Sequence, residues 1–286
     1  MLTIVLGFAT SLVYGFADFF GALASRKINP MLVTLVSGFS GLIFLFTMTP
    51  FFGMTLDPSS IFWGSLAGVI SAVGITCLYA SLAIGPISIL SPLGAIMSAL
   101  VPMAFGVIFQ HEHFSTIGWV ALAGILVAVG LVGFVPGENV RLPSAKGLLL
   151  GLGAGVSIGL LLICIDQAPA NSGLTPVIFL RGFSIVGILI LMLAAFASGT
   201  RFKPQSVAKK SWPATILAGV LDSSANVLFL TAMRMGALSV VSVLTALYPL
   251  GTIVLARLVL KEKIAKVQLA GVLLALACSA LLASGI

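Results

Sequence analysis

Between Val120 and Val135 the chain reads VALAGILVAVGLVGFV, with no charge and no polar side chain. Near the C-terminus LAGVLLALACSALLA (Leu269–Ala283) has the same character, relieved only by Ser279. A membrane-barrel strand alternates in polarity over about 10 residues, and these runs do not alternate. In lipid every backbone amide must be satisfied within the protein, which a helix does along its own length. The two runs therefore predict an all-α integral membrane protein.

Composition extends this reading to the whole chain. Sixty per cent of the 286 residues are hydrophobic and 7 % are charged, and the mean hydropathy is +1.25. A soluble domain carries roughly 25 % charged residues, so the solvent for most of this chain must be lipid. About 20 apolar residues span a bilayer. That ruler places ten transmembrane segments at 3–25, 31–51, 61–84, 88–109, 116–135, 147–167, 174–196, 214–235, 238–260 and 266–285. Turn-forming residues mark the breaks: Asn29-Pro30, Asp57-Pro58, Gly85-Pro86, Pro136-Gly137, Gly173 and Gly236.

The segments repeat. A displacement of 144 carries Gly7, Gly15 and Gly38-Phe39-Ser40 onto Gly151, Gly159 and Gly182-Phe183-Ser184. A displacement of 151 carries Gly68, Gly85, Ser88, Ser91 and Ala95 onto Gly219, Gly236, Ser239, Ser242 and Ala246. Two five-helix repeats follow, 1–135 and 147–286, joined by a linker at 136–146. Five crossings leave the second repeat starting on the opposite side, so the two repeats are expected to be inverted, an arrangement found in secondary transporters.

The net charge is +7, and the basic residues set topology rather than bind nucleic acid. Odd-numbered loops and their edges hold Arg26, Lys27, Arg141, Lys146, Arg201, Lys203, Lys209, Lys210, Arg257, Lys261, Lys263 and Lys266; even-numbered loops hold only Arg234. Basic loops stay cytoplasmic, which predicts a multi-pass protein of the cytoplasmic (inner) membrane with both termini outside the cytoplasm. No cleavable signal peptide is expected. Cys77, Cys164 and Cys278 all fall in apolar segments without disulfide or metal spacing. His111 and His113 offer no third metal ligand, and no phosphate loop, His-Glu-x-x-His or Gly-x-Ser-x-Gly is present. The expectation is a non-enzyme with no cofactor, no metal and no catalytic residues.

The second half reads LSVVSVLTALYP (Leu238–Pro249), then Leu260-Lys261-Glu262-Lys263 and Gln268-Leu269-Ala270-Gly271; the first reads Ala83-Ile84-Gly85-Pro86-Ile87-Ser88, Pro102 and His111-Glu112-His113. With DFFGALASR (Asp18–Arg26), this ordered set resembles the drug/metabolite transporter superfamily, specifically its EamA-type ten-helix members. The resemblance implies a transporter whose fourth and ninth segments border a central cavity, with the fifth and tenth peripheral. It also matches Glu112 and Glu262 to a recurrent glutamate, read here as a structural cap.

Charges inside apolar segments are costly, about 2.5–3.5 kcal/mol each on insertion scales, so they need a partner or a watery cavity. Asp18 lies in the first segment, Arg181 in the seventh, Asp222 in the eighth, and Asp166 near the end of the sixth. Tyr14 shares a helix face with Asp18, and Asn226 shares one with Asp222. Ser91 belongs to a polar stripe on the fourth segment, and Thr245 and Tyr248 stand beside its copy on the ninth. These residues, with Tyr79 and Arg181, form the candidate substrate-binding or coupling set. Asp18 and Asp222 suit proton coupling or amine recognition, while a structural ion pair of either one with Arg181 is the competing reading. The expected function is secondary transport, as an exporter, of a small organic metabolite, amine-bearing or zwitterionic, by alternating access. Two other classes stay open: a non-transporting scaffold or sensor subunit, and an intramembrane enzyme acting on a lipid-linked substrate through His111-Glu112-His113.

Overall fold

Local chemistry sets several helix starts. Asn29 accepts a hydrogen bond from the Met31 N–H at 2.9 Å, with Pro30 at the first helical position. Ser115 caps Gly118 and Ser144 caps Gly147, each at 3.1 Å. Such caps satisfy amide donors that a helix leaves orphaned at its N-terminus. The computed structural model describes residues 1–25, 27–84, 87–134, 143–198, 211–259, 261 and 265–284; within these, the side chains of 79, 82–84, 87–89, 91–92, 256 and 283–284 fall outside the description.

The helices are α1 (Leu2–Ser25), α2 (Pro30–Phe52), α3 (Pro58–Ile84), α4 (Ile87–Phe109), α5 (Thr116–Gly133), α6 (Ala145–Asp166), α7 (Thr175–Ala197), α8 (Trp212–Met233), α9 (Leu238–Thr245), α10 (Tyr248–Val259) and α11 (Lys266–Ser284). Among the described residues, eight helical spans are long and apolar enough to cross a membrane, with α9 and α10 counted as one. Two shorter apolar helices, Leu93–Phe109 and Lys266–Leu282, accompany them.

The ninth segment corrects the sequence expectation. Instead of one helix over 238–260, α9 ends at Thr245 and α10 starts at Tyr248. Pro249 stands at this break: it has no N–H to give the Thr245 carbonyl, and its ring crowds that turn. The chain crosses the gap on a shorter-range bond from the Leu247 N–H to the Leu244 carbonyl, 3.1 Å.

The principal helix pairings come in sets related by exchange of the halves. α1 lies on α8 as α6 lies on α3; α7 lies on α3 as α2 lies on α8; α6 lies on α4 as α1 lies on α9 and α10. The pairs α5–α11 and α2–α7 map onto themselves. Repeated residues make these crossings. A Cβ added at Gly15 would stand 2.6 Å from Gly251 Cα of α10, and one at Gly159 would stand 2.7 Å from Val101 Cβ of α4. Only glycine lets backbones approach so closely, a common device where lipid supplies no hydrophobic drive for helix association. α5 and α11 bury one face against each other, through Leu122, Ile125, Val129, Ala275 and Cys278. Their outer faces, with Val120, Val127, Leu269 and Leu273, are exposed, as peripheral helices should be.

At one end of the bundle the loops before α3 and before α7 are tied together. The Leu174 N–H donates to the Gly53 carbonyl at 2.9 Å, and Thr175 Oγ1 donates to the Thr55 carbonyl at 2.8 Å. Gly53 and Gly173 take left-handed φ values of 77° and 60° that suit residues without a side chain.

Candidate functional site

Asp222 sits about midway along α8, and the guanidinium of Arg181 on α7 makes an ion pair with its Oδ2. Of the two partners open to Arg181 in the sequence, the packing selects Asp222. Asn226, one turn on, donates its Nδ2–H to the Asp222 backbone carbonyl at 2.7 Å and to Oδ2 at 3.3 Å. Asp222 thus receives an amide and a guanidinium, and 34 % of its side chain stays accessible against 13 % for Arg181. Arg181 Nε is buried with no hydrogen-bond partner among the described residues.

Asp18 is different. It is exposed, and among the described residues no ion-pair partner is found for it. Yet α1 is packed by α2, α8, α9 and α10, and the Asp18 carboxylate acts electrostatically on both Tyr14 and Tyr248. Asp18 thus keeps accessible surface on a helix packed by four others, and the region beside it is termed the Asp18 space. Arg181 also acts on Tyr14, so Tyr14 joins the Asp18 side of this space to the ion pair.

The α9–α10 break contributes the remaining wall. Tyr248 opens α10 beside the Gly15 crossing, and Thr252 Oγ1 donates to the Gly15 carbonyl at 3.0 Å. Thr245, the last residue of α9, is 5 % exposed and its hydroxyl has no partner among the described residues. Interrupted helices are tolerated at membrane depth where the freed backbone lines a cavity or is buried in protein. Pro249 is the signal that could have revealed the interruption.

The structure therefore brings together Tyr14, Asp18, Arg181, Asp222, Asn226 and Tyr248, with Thr245 one turn away. The side chains of Tyr79 and Ser91 lie outside the described residues, as do Arg26 and Glu262. Sequence reasoning treated Glu112 as a cap without naming its recipient. Glu112 Oε2 accepts from the Ser239 N–H at 3.2 Å and from the Ser239 hydroxyl, so a first-half carboxylate caps the start of α9. Asp166 accepts from Gln110 Nε2 and, at 3.1 Å, from Gln167 Nε2. Arg234 Nη2 donates to the Gly173 carbonyl at 2.7 Å and to Ser172 Oγ at 3.2 Å. Asp166 and Arg234 line a cavity of about 310 Å³. Twelve positions along α8 separate Arg234 from Asp222, about 18 Å of helix, so this cavity is distinct from the Asp18 space. Among the described residues no group of His, Cys, Asp and Glu side chains converges for a metal ion.

The EamA-like transporter family matches residues 1–134 and again 145–284. No curated protein matches the chain. A solved structure titled only "Crystal structure of protein" superposes with a TM-score of 0.78 at 13 % identity, covering 98 % of this chain and 95 % of its own. At that identity the likeness speaks for the fold alone. The family match spans nearly all of an apolar helical bundle that holds an ion pair and a carboxylate with no ion-pair partner among the described residues. This integral membrane protein belongs to the EamA-like transporter family of the drug/metabolite transporter superfamily.

Proposed function

We propose that the protein exports a small amine-bearing or zwitterionic metabolite across the cytoplasmic membrane by alternating access. Two inverted repeats, 1–135 and 147–286 around the 136–146 linker, cross the membrane five times each and rock about the Asp18 space, with both termini outside the cytoplasm. The exchange-related helix pairings support two equivalent bodies, since the largest contacts of one half have counterparts available when the bundle reverses. Asp18 is the coupling or recognition carboxylate. It binds a substrate ammonium or a proton, one excluding the other. Tyr14, Tyr248, Thr245 and Asn226 orient the substrate, with Tyr79 and Ser91 assigned to the same set. Arg181 and Asp222 hold α7 to α8 and offer a carboxylate-binding guanidinium when the pair opens.

One observation carries this reading: Asp18 keeps accessible surface on a helix packed by four others and has no basic partner among the described residues, whereas Asp222 is paired with Arg181. A carboxylate kept in that state costs stability, which ligand or proton binding repays. The test is uptake of a pooled labelled amine and amino-acid set into proteoliposomes, with and without an imposed proton gradient. Saturable, gradient-driven uptake that Asp18→Asn lowers at least about tenfold, one charge-assisted contact's worth, is the expected result. Undiminished uptake by Asp18→Asn removes Asp18 from the cycle. No uptake by folded wild-type protein moves the weight to a scaffold or sensor role.

A further inference from the structure

The cavity where α6 and α8 end carries opposite charges on a wall that is otherwise apolar. Asp166 is held through Oδ2 by Gln110 and Gln167, and among the described residues its Oδ1 has no partner. Arg234 is anchored through Nη2 alone to Ser172 and Gly173, which leaves Nε and Nη1 without a partner among the described residues. Both groups line the same space without forming an ion pair with each other. Ile165, Leu230 and Met233, each at most 8 % exposed, supply the apolar side, and Ala170 stands exposed on the rim.

We propose that this cavity is a second binding site, for an α-amino acid with an apolar side chain. The ammonium meets Asp166 Oδ1, the carboxylate meets the free nitrogens of Arg234, and the side chain lies on Ile165, Leu230 and Met233. Volume favours the class: about 310 Å³ is near the floor of the roughly 300–1,000 Å³ that ligand pockets occupy, which suits a ligand as small as an amino acid. Arg234 is also the lone basic residue in the even-numbered loops, held where the charge pattern otherwise excludes cations. A cation at the end of α8 gains from the helix dipole, but that gain needs no carboxylate facing it across a cavity.

The site is separate from the Asp18 space, so it is tested in protein where that space is disabled. Equilibrium binding of tritiated L-leucine is measured on purified Asp18→Asn protein in detergent, and on the same protein carrying Asp166→Asn, Arg234→Gln or Ala170→Trp. One leucine per chain is expected to bind to Asp18→Asn. Either charge removal weakens it about tenfold, the worth of one charge-assisted contact, and Ala170→Trp abolishes it by filling the space from the rim. Competition by leucinamide, which lacks the carboxylate, should be insensitive to Arg234→Gln; competition by 4-methylpentanoate, which lacks the amine, should be insensitive to Asp166→Asn. Circular dichroism and monodispersity report folding, and Ala170→Trp decides the matter should either charge variant misfold, because it leaves both polar networks in place. Absence of leucine binding to Asp18→Asn, or binding indifferent to all three changes, overturns the proposal. Either result leaves the Asp18 reading to its own uptake test.

Discussion

The two halves agree where helices touch and disagree in the charged residues they bury or enclose. Gly15 and Gly159 make matching crossings, and Gly68 meets Ser184 as Gly219 meets Ser40. At the same displacements, however, Asp18 faces Leu162, Arg181 faces Ser37, and Asp222 faces Ser71. α4 is continuous while its counterpart is split into α9 and α10. The packing obeys a two-fold rule that the polar groups ignore. On the proposed mechanism this division is expected: a bundle that reverses its opening needs equivalent crossings in both halves, whereas a small organic substrate has no two-fold axis and asks for none in its contacts.

The largest effect should come from breaking the ion pair. Asp222→Ala leaves Arg181 charged and buried, at a cost of about 3 kcal/mol, the low end for a truncated buried pair because Asp222 keeps some accessible surface. Removing both charges as Arg181→Leu with Asp222→Leu should restore most of that stability, since an apolar replacement leaves no unpaired charge. Ser37→Ala and Ser71→Ala, at the corresponding first-half positions, should each stay within about 0.5 kcal/mol of wild type. Thermal unfolding in detergent checks all four. Equal sensitivity in the two halves would erase the asymmetry, and a double variant no better than Asp222→Ala would mean that the pair does more than neutralise itself.

Much of this was legible in the sequence because it is local or periodic. Apolar runs, the break at Asn29-Pro30 and repeated glycines each declare themselves within a few residues. The charged candidates were legible too, because lipid makes any buried charge conspicuous. What could not be read was which carboxylate takes Arg181. Asp18 and Asp222 are chemically alike, and the choice depends on α7 packing beside α8. The interruption at Thr245–Tyr248 was written in Pro249, yet hydropathy averages side chains and is blind to a missing backbone donor. The tie between Gly53–Thr55 and Ser172–Thr175 rests in part on backbone groups, which every residue but proline carries alike, and in part on threonine hydroxyls whose partners lie far off in sequence.

A second comparison tests the crossings themselves. A methyl at Gly15 runs into backbone, Gly251 Cα and the Tyr248 carbonyl, whereas one at Gly159 meets the Val101 and Pro102 side chains. Backbone can yield only by separating α1 from α10; Val101 Cβ and Pro102 Cδ also move only with α4, but the overlap there is smaller, its nearest approach being 2.7 Å. Gly15→Ala should therefore cost about 2 kcal/mol and Gly159→Ala about 1 kcal/mol, within the usual range for overpacking. If α1 does border the substrate space, Gly15→Ala should also impair uptake more than its loss of stability explains. Matched losses at both sites would mean that the broken second-half helix adapts as readily as the continuous α4.

The smallest effect lies at the helix starts, where the halves again differ. α3 begins with Asp57, which accepts from the Ser60 N–H at 2.9 Å and from its hydroxyl, while its counterpart α8 begins at Ser211 with no side-chain cap. The two Ser60 hydrogen bonds favour the Asp57 carboxylate and hold it below its ordinary range. A lowered folded-state value adds stability above the unfolded value and loses it as pH falls through the folded one. Because Asp57 stands in water, the contribution is slight. Wild type should lose more of its thermal midpoint than Asp57→Asn on going from about pH 5 to pH 3, around an unfolded value near 3.9. Asn keeps the cap without the charge, so its midpoint should fall only as the rest of the protein dictates, and Asp57→Ala should sit below both at neutral pH. Should wild type and Asp57→Asn fall in parallel, the carboxylate's ionisation adds nothing to the cap, and this difference between the halves reduces to one hydrogen-bond acceptor present in α3 and missing in α8.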